Sequence, residues 1–106
     1  MPKYLVQGSY TAEGLKGVQK DGGSGRREAI SKAFEAPGGK LESFYFVFGD
    51  EDVVGVADFP DNITAAAMAL SISTSGLVRT KVTVLLTAEE VDRAVKKTIG
   101  YRAPGK

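Results

Sequence analysis

The sequence predicts an α+β domain in which a four-stranded antiparallel sheet carries helices on one face. Four short runs rich in β-branched and aromatic residues alternate with segments of helical periodicity. Between the second and third runs stands only a tight-turn signal, Gly49-Asp50-Glu51-Asp52, which makes these two runs an antiparallel hairpin. The 106 residues suit one domain, which we place at residues 1–99, followed by a mobile tail at 100–106.

The first half of the chain predicts two strands separated by two helical pieces. The first strand covers residues 3–10, and Thr11 can cap a short helix that begins near Ala12. The glycine-rich stretch at residues 21–25 interrupts this helix, and a second helix runs over residues 26–36. A Pro-Gly-Gly sequence then ends the helix, and the second strand covers residues 40–48.

The second half predicts strand, helix, strand and helix. The third strand covers residues 53–59, and Asp61 or Asn62 caps a helix that reaches about Ser75. Gly76 suits the left-handed position after that helix, and the fourth strand covers residues 78–86. A capping box at residues 87–90 opens the last helix. The first six elements follow the βαββαβ order of a ferredoxin-like sandwich, to which the C-terminal helix is an addition.

The composition excludes several kinds of chemistry. The chain has no cysteine and no histidine, which rules out disulfides, thiolate metal sites and a Ser-His-Asp triad. Because 14 basic residues balance 13 acidic ones, and because no Lys/Arg-Gly-Phe context surrounds the aromatic residues, we expect no nucleic-acid partner. No apolar run approaches the length of a membrane span, and no signal-peptide pattern opens the chain, so we expect a cytoplasmic protein without a membrane partner or a cofactor.

Motifs along most of the chain resemble those of the GYD-domain family of small proteins of unknown function. The residues that carry the resemblance lie mainly at turns and caps: Tyr4 to Tyr10, Gly38-Gly39-Lys40-Leu41, Phe48-Gly49, Asp52-Val53-Val54, Phe59-Pro60-Asp61, Ser75-Gly76, Val78-Arg79-Thr80 and Thr87-Ala88-Glu89-Glu90. Gly49 and Asp52 match the Gly-x-Tyr-Asp type motif of the hairpin, and Glu51 occupies the position of the tyrosine. The resemblance implies a ferredoxin-like domain of the dimeric α+β barrel type, without an established activity.

Two segments offer charged groups for a ligand. The glycine-rich stretch leads into a helix that begins with Arg26 and Arg27, which predicts either an anion site or a flexible turn. The hairpin turn has three consecutive carboxylates, Asp50, Glu51 and Asp52, whose oxygens could hold Mg²⁺ or Ca²⁺. We favour a solvated acidic turn over a metal site, and we keep Asp52 as a candidate ligand-binding residue.

A third candidate site lies on the sheet. Arg79 and Lys81 share one face of the fourth strand, and they could line a pocket with Gln7 and Ser9 if the first and fourth strands pair. Tyr10, at the end of the first strand, completes the set of candidate ligand-binding residues.

The aromatic second strand predicts self-association. Strand periodicity places Phe44, Phe46 and Phe48 on one face and Leu41, Tyr45 and Val47 on the other. The domain's own helices can cover only one of these faces, so a second copy or a cofactor slot would cover the other.

Two classes of function remain open at this point. The first is a homo-oligomeric module that binds a small, possibly anionic, molecule or regulates another process. The second is a cofactor-independent enzyme, such as a small monooxygenase or isomerase, whose acid or base would be Asp52, Glu42, Tyr10 or Tyr45. A buried carboxylate beside an apolar cavity would favour the enzyme.

Overall fold

A computed structural model describes residues 1–106 as an α+β domain consistent with a ferredoxin-like fold. Its elements, in chain order, are β1 (Lys3–Tyr10), α1 (Ala12–Glu35), β2 (Lys40–Phe46), β3 (Val53–Asp58), α2 (Asn62–Ser73), β4 (Val78–Leu85) and α3 (Ala88–Val95). All seven agree with the predicted order. The predicted strand ends differ from the observed ones by two residues or fewer.

The four strands form one antiparallel sheet in the order β2-β3-β1-β4. Because Gly8 lies opposite both Val53 and Thr80, the even-numbered residues of β1 share a face with the odd-numbered residues of β3 and the even-numbered residues of β4. α1 and α2 pack on this face, which we call the helix face. The opposite side, here the open face, has no cover within the chain. It holds Arg79 beside Ser9 and Lys81 beside Gln7, as predicted.

Capping side chains fix the starts of the three helices. The side chains of Thr11, Asp61 and Thr87 accept hydrogen bonds from backbone N–H groups in the first turns of α1, α2 and α3. The Glu90 carboxylate also accepts a bond from the Thr87 N–H, which completes the predicted capping box. Gly76 takes a positive φ of 75° after α2, as the left-handed position requires.

One local prediction is confirmed in part, and another is wrong. The predicted interruption of the first helix is present, but it is confined to Gly22, which leaves the helical conformation with φ 76° and ψ 165°, and the second helical piece follows immediately within a kinked α1. In β2, a bulge between Leu41 and Ser43 shifts the alternation by one residue. Leu41 therefore lies on the helix face with Phe44 and not with Tyr45.

The buried core lies at one end of the domain. Tyr4, Phe34 and Phe59 are each 1% exposed, and Ala57 and Ala65 complete the cluster. The ring of Phe59 packs 5.6 Å from that of Tyr4 and 5.0 Å from that of Phe34, measured between centroids. The core thus joins the start of β1, the end of α1 and the loop before α2.

The helix layer opens towards the other end of the sheet. α1 packs mainly on β2 and α2 packs on β4, and no substantial packing joins α1 to α2. The gap between the two helices leaves the centre of the helix face accessible.

The C-terminal part of the chain extends away from the sheet. α3 contains no buried residue and packs substantially on no other element. The chain has a radius of gyration of 16.9 Å and a longest dimension of 56 Å. A compact domain of this size would have a radius of gyration of about 13 Å. Neither α1 nor any other helix is both long and apolar enough to cross a membrane.

Candidate functional site

A cleft lies on the helix face between α1 and α2. Its inner compartment is narrow, with a cavity volume of about 30 Å³. An outer compartment of about 400 Å³ shares Tyr10, Arg26, Ile30, Ile72 and Val78 with it and continues towards the start of α1. The two compartments therefore form one continuous cleft.

The walls of the inner compartment are mostly apolar. They comprise Val6, Ile30, Phe34, Leu41, Phe44, Val53, Ile72 and Val78. Ile30 and Ile72 come from α1 and α2, while Val53 and Val78 come from the sheet. The bulge in β2 is what turns Leu41 towards this compartment. Such a lining is typical of a site for a small molecule with an apolar body.

Two glycines form the floor of the cleft. A Cβ atom on Gly8 would stand 2.9 Å from Val53 Cγ2, and one on Gly55 would stand 2.7 Å from the backbone oxygen of Ser43. A side chain at either position would overlap its neighbours, so only glycine fits there and no side chain projects from the sheet at these two positions. The sequence shows that Gly8 and Gly55 lie inside strands, but it does not show the strand pairing that brings them together.

Arg26 supplies the cationic group of the cleft. It lines both compartments, and its side chain is 26% exposed. Its guanidinium lies 3.5 Å from the Asp21 carboxylate, across the kink at Gly22. Gly23, just after the kink, sits against the ring of Phe46, since a Cβ there would stand 3.2 Å from Phe46 Cε2. The kink therefore fixes where Arg26 enters the cleft.

Two other side chains with polar groups line the inner compartment. The ring of Tyr10 lies beside the first turn of α1, because a Cβ on Gly14 would stand 3.1 Å from Tyr10 Cδ1. The hydroxyl of Thr80 donates to the Ala69 carbonyl at 3.2 Å and bonds to the Ser73 hydroxyl at 2.8 Å, which ties β4 to α2. Thr80 therefore already has partners, and Arg26 is the charged group that the inner compartment presents.

The six residues predicted for ligand binding do not converge on one site. Tyr10 and Arg26 lie in the cleft. Arg27 lies outside it, in a shallow depression between α1 and β2 that includes Glu28 and Glu42. Arg79 and Lys81 lie at the hairpin end of the open face. The structure thus separates Arg27 from Arg26, and it brings Arg26 together with Tyr10.

The acidic hairpin turn fastens β1 to the hairpin. Asp52 accepts a hydrogen bond from the Tyr10 N–H at 2.8 Å, and its own N–H donates to the Gly8 carbonyl at 2.8 Å. Glu51, in the place of the family's tyrosine, accepts from the Ser9 hydroxyl at 2.7 Å and lies 3.7 Å from Lys81 Nζ. Both carboxylates therefore hold local structure next to the open face, and Asp52 supports the strand end that carries Tyr10.

The remaining acid or base candidates also lie away from the inner compartment. Glu42 lies 3.4 Å from Lys3 Nζ, and Tyr45 is 66% exposed on the open face. No charged side chain in the chain is buried. Of the four residues considered for acid–base work, only Tyr10 reaches the cleft.

The clearest shifts in pKa occur at the core end of the domain. Burial raises the pKa of the Tyr4 phenol, and the negative charge of Asp61 raises it further. The Tyr4 hydroxyl donates to Asn62 Oδ1 at 2.6 Å, which also favours the protonated form. The hydrogen bond to Asp58 raises the pKa of Lys3. These groups stabilise the fold and do not line the cleft.

The open face has an apolar centre with charged groups around it. Leu5, Val54 and Val56 are half-buried at the middle of the sheet. Lys3 pairs with Asp58 at 3.0 Å at one end of the face, and Lys81 pairs with Glu51 at the other. An apolar centre with a polar rim is the usual anatomy of a protein interface.

Comparison with known proteins assigns the chain to a family. The model of the GYD domain matches residues 4–95, which include all of β1 except its first residue, the other three strands and all three helices. A comparison with curated proteins finds no significant match. The matched segment covers most of the 106 residues, and the chain therefore belongs to the GYD domain family.

Proposed function

We propose that this protein is a homo-oligomeric binding module whose cleft holds a small molecule with an apolar body and one anionic group. The observation that carries the proposal is the cleft between α1 and α2, an apolar compartment with a glycine floor and a single guanidinium, that of Arg26. Apolar pockets with a few placed polar groups are the common form of small-molecule site.

The ion pair between Arg26 and Asp21 is weak enough for a ligand anion to replace Asp21. Both side chains are partly exposed and 3.5 Å apart, and ion pairs of this kind contribute only about 0–1 kcal/mol. A ligand carboxylate inside the cleft could form two parallel hydrogen bonds with the guanidinium in a drier environment. Exchange of Asp21 for the ligand would therefore cost little and gain a charge-assisted contact.

The same geometry favours binding over catalysis. Apart from Tyr10, three residues are candidates for acid–base work, namely Asp52, Glu42 and Tyr45, and none of them lines the inner compartment. An acid–base enzyme needs a titratable group within hydrogen-bond reach of the reacting atom. Tyr10 alone would have to serve as both acid and base, which makes the enzyme the weaker alternative.

The open face supports the proposed self-association. Its apolar centre and polar rim suit a contact with the same face of a second copy, in the dimeric α+β barrel arrangement. Such a dimer would leave both clefts accessible, because they lie on the helix side of each sheet.

Calorimetry with a matched ligand pair tests the binding proposal. We expect hexanoate to bind the wild-type protein more tightly than hexan-1-ol does, because only the carboxylate can engage Arg26. A hydrogen bond to a charged group contributes about 1.5–3 kcal/mol, so Arg26→Gln should weaken hexanoate binding by roughly 10-fold or more. The binding of hexan-1-ol should change little.

The neighbouring arginine provides the control. Arg27→Gln removes the same charge outside the cleft, and it should leave hexanoate binding unchanged. Val78→Phe, which fills the cleft from β4, should abolish the binding of both ligands. Equal weakening by Arg26→Gln and Arg27→Gln, or no saturable heat with either ligand, would contradict the proposal.

A further inference from the structure

We propose that α3 of one copy packs against the outer face of α2 of a second copy. The C-terminal arm, defined as residues 86–106, would thus be exchanged between subunits. The arm contact rests on the self-association proposed above, and it is independent of what the cleft binds.

The outer face of α2 is apolar and uncovered. Ala65, Met68 and Ile72 point into the domain and pack in or against its core. On the opposite side, Ile63 is 82% exposed and Leu70 is 66% exposed. Residues 62–78 contain no charged residue. A helix that is apolar all round is normally covered on all sides, so this face lacks a partner in the single chain.

The stripe on α2 has the spacing of a helix-packing surface. Ile63, Ala66, Ala67 and Leu70 stand at i, i+3, i+4 and i+7, which places them in one row on the helix surface. The two alanines at its centre would let another helix approach closely, with the larger side chains at either end.

α3 offers a matching stripe. Ala88, Val91, Ala94 and Val95 share one face of this helix, whereas its other faces carry Glu and Arg side chains. Val91 is 45% exposed and Val95 is 75% exposed. An eight-residue helix with one apolar face is not stable alone in water, so packing on a partner is the expected source of its stability.

Two observations favour a second copy over the chain's own α2. In the single chain α3 packs substantially on no element, and the radius of gyration of 16.9 Å exceeds the value of about 13 Å expected for a compact domain of this size. The open face also has limited size. Four strands about 4.8 Å apart and up to about 27 Å long give a flat area of about 500 Å².

The accessible area of this face exceeds its flat outline, because side chains make it uneven, but the outline is still modest for a stable dimer. Specific interfaces bury about 800 Å² of accessible surface on each partner. In a two-fold assembly each copy gives one α3 and receives another, so the exchange adds two equivalent helix contacts to the sheet contact. The exchanged arms would thereby supply area that the sheet faces alone do not.

Disulfide trapping tests the contact, because the native chain has no cysteine. Val95→Cys and Ala67→Cys are prepared as two separate proteins that carry tags of different length. They are mixed, left to equilibrate and then mildly oxidised. We expect a heterodimer on a non-reducing gel. Lys32→Cys, at an exposed position on α1, is the control partner for Val95→Cys and should give several-fold less cross-linked product.

Each outcome bears on a different claim. Light scattering that gives the mass of one chain, 11.2 kDa, would overturn the self-association and the arm contact together. An oligomer without the cross-link between positions 67 and 95, or with equal cross-linking to position 32, would overturn the arm contact alone. The arm contact would also be overturned if a double variant, with both cysteines in one chain, formed the disulfide within that chain. None of these results affects hexanoate binding to the cleft.

Discussion

Two glycines in the first half of α1 allow a matched test of how this helix meets the sheet. A Cβ on Gly14 would stand 2.1 Å from the Leu77 carbonyl oxygen, whereas a Cβ on Gly17 would meet nothing within 4 Å. The Leu77 oxygen cannot easily retreat, because it accepts a hydrogen bond from the Thr11 N–H at 2.9 Å. Gly14→Ala must therefore push the start of α1 away from the start of β4.

The two substitutions should change stability in opposite directions. Replacing a glycine by alanine inside a helix gains up to about 1 kcal/mol, so Gly17→Ala should stabilise the protein by roughly that amount. At Gly14 the same gain is opposed by an overpacking cost of about 1–3 kcal/mol. Because the gain is common to both variants, we expect them to differ by about 1–3 kcal/mol, with Gly14→Ala the less stable.

Denaturant unfolding followed by circular dichroism measures this difference. In a domain of this size, each kcal/mol corresponds to about 4–8 °C in Tm, so a thermal scan gives an independent reading. Gly14→Ala should also weaken hexanoate binding, since the start of α1 forms one side of the outer compartment. Equal stability of the two variants would refute the close contact between Gly14 and Leu77.

Three further predictions concern stability. Tyr4→Phe should lower stability at pH 7 by roughly 0.5–1.5 kcal/mol. Because the folded-state pKa of Tyr4 is raised, its contribution is complete below about pH 10 and is lost as the pH rises through the raised pKa. The stability difference between Tyr4→Phe and wild type should therefore shrink in strong alkali. Asp61→Ala should lower stability at neutral pH, because it removes the side chain that caps α2. Its hydrogen bonds with Thr64 lower the pKa of Asp61, so this cost should fade as the pH drops below about 4, which unfolding curves at pH 7 and pH 3 would measure. Thr87→Ala should unwind α3, seen as a loss of helical signal, without lowering the cooperativity of the main transition.

Local chemistry made most of the fold predictable. Turn and capping residues such as Thr11, Gly76 and Thr87 act on their immediate neighbours, so their effects can be deduced without knowing the rest of the chain. The two departures from the predicted elements arose where one residue changed the pattern. Gly22 kinks α1 without ending it, and the bulge near Ser43 reverses the alternation of β2.

The candidate site was less predictable, because it depends on contacts distant in sequence. The periodicity of α2 showed that Ile63, Ala67 and Leu70 share a face, but a helix with apolar residues on all sides does not reveal which face is buried. The observed core face is the opposite one. Likewise, Gly8 and Gly55 could be noticed as glycines in strands, but only the pairing of β1 with β3 shows that they form one floor.

The charged candidates illustrate the same limit. Arg26 and Arg27 are adjacent in sequence and chemically equal, yet only Arg26 lines the cleft. The two residues are successive positions of the helix after the kink, and successive side chains of an α-helix point about 100° apart.

Chemical-shift mapping of the labelled protein with hexanoate tests the central claim most directly. The account predicts that saturable shifts concentrate at the amides of Tyr10, Arg26, Ile30 and Val78, with the Arg26 guanidinium among the groups most affected. Amides of the open face, such as those of Leu5 and Val54, should remain in place. Shifts centred on Leu5 and Val54, with the cleft unchanged, would contradict the assignment of the cleft between α1 and α2 as the binding site.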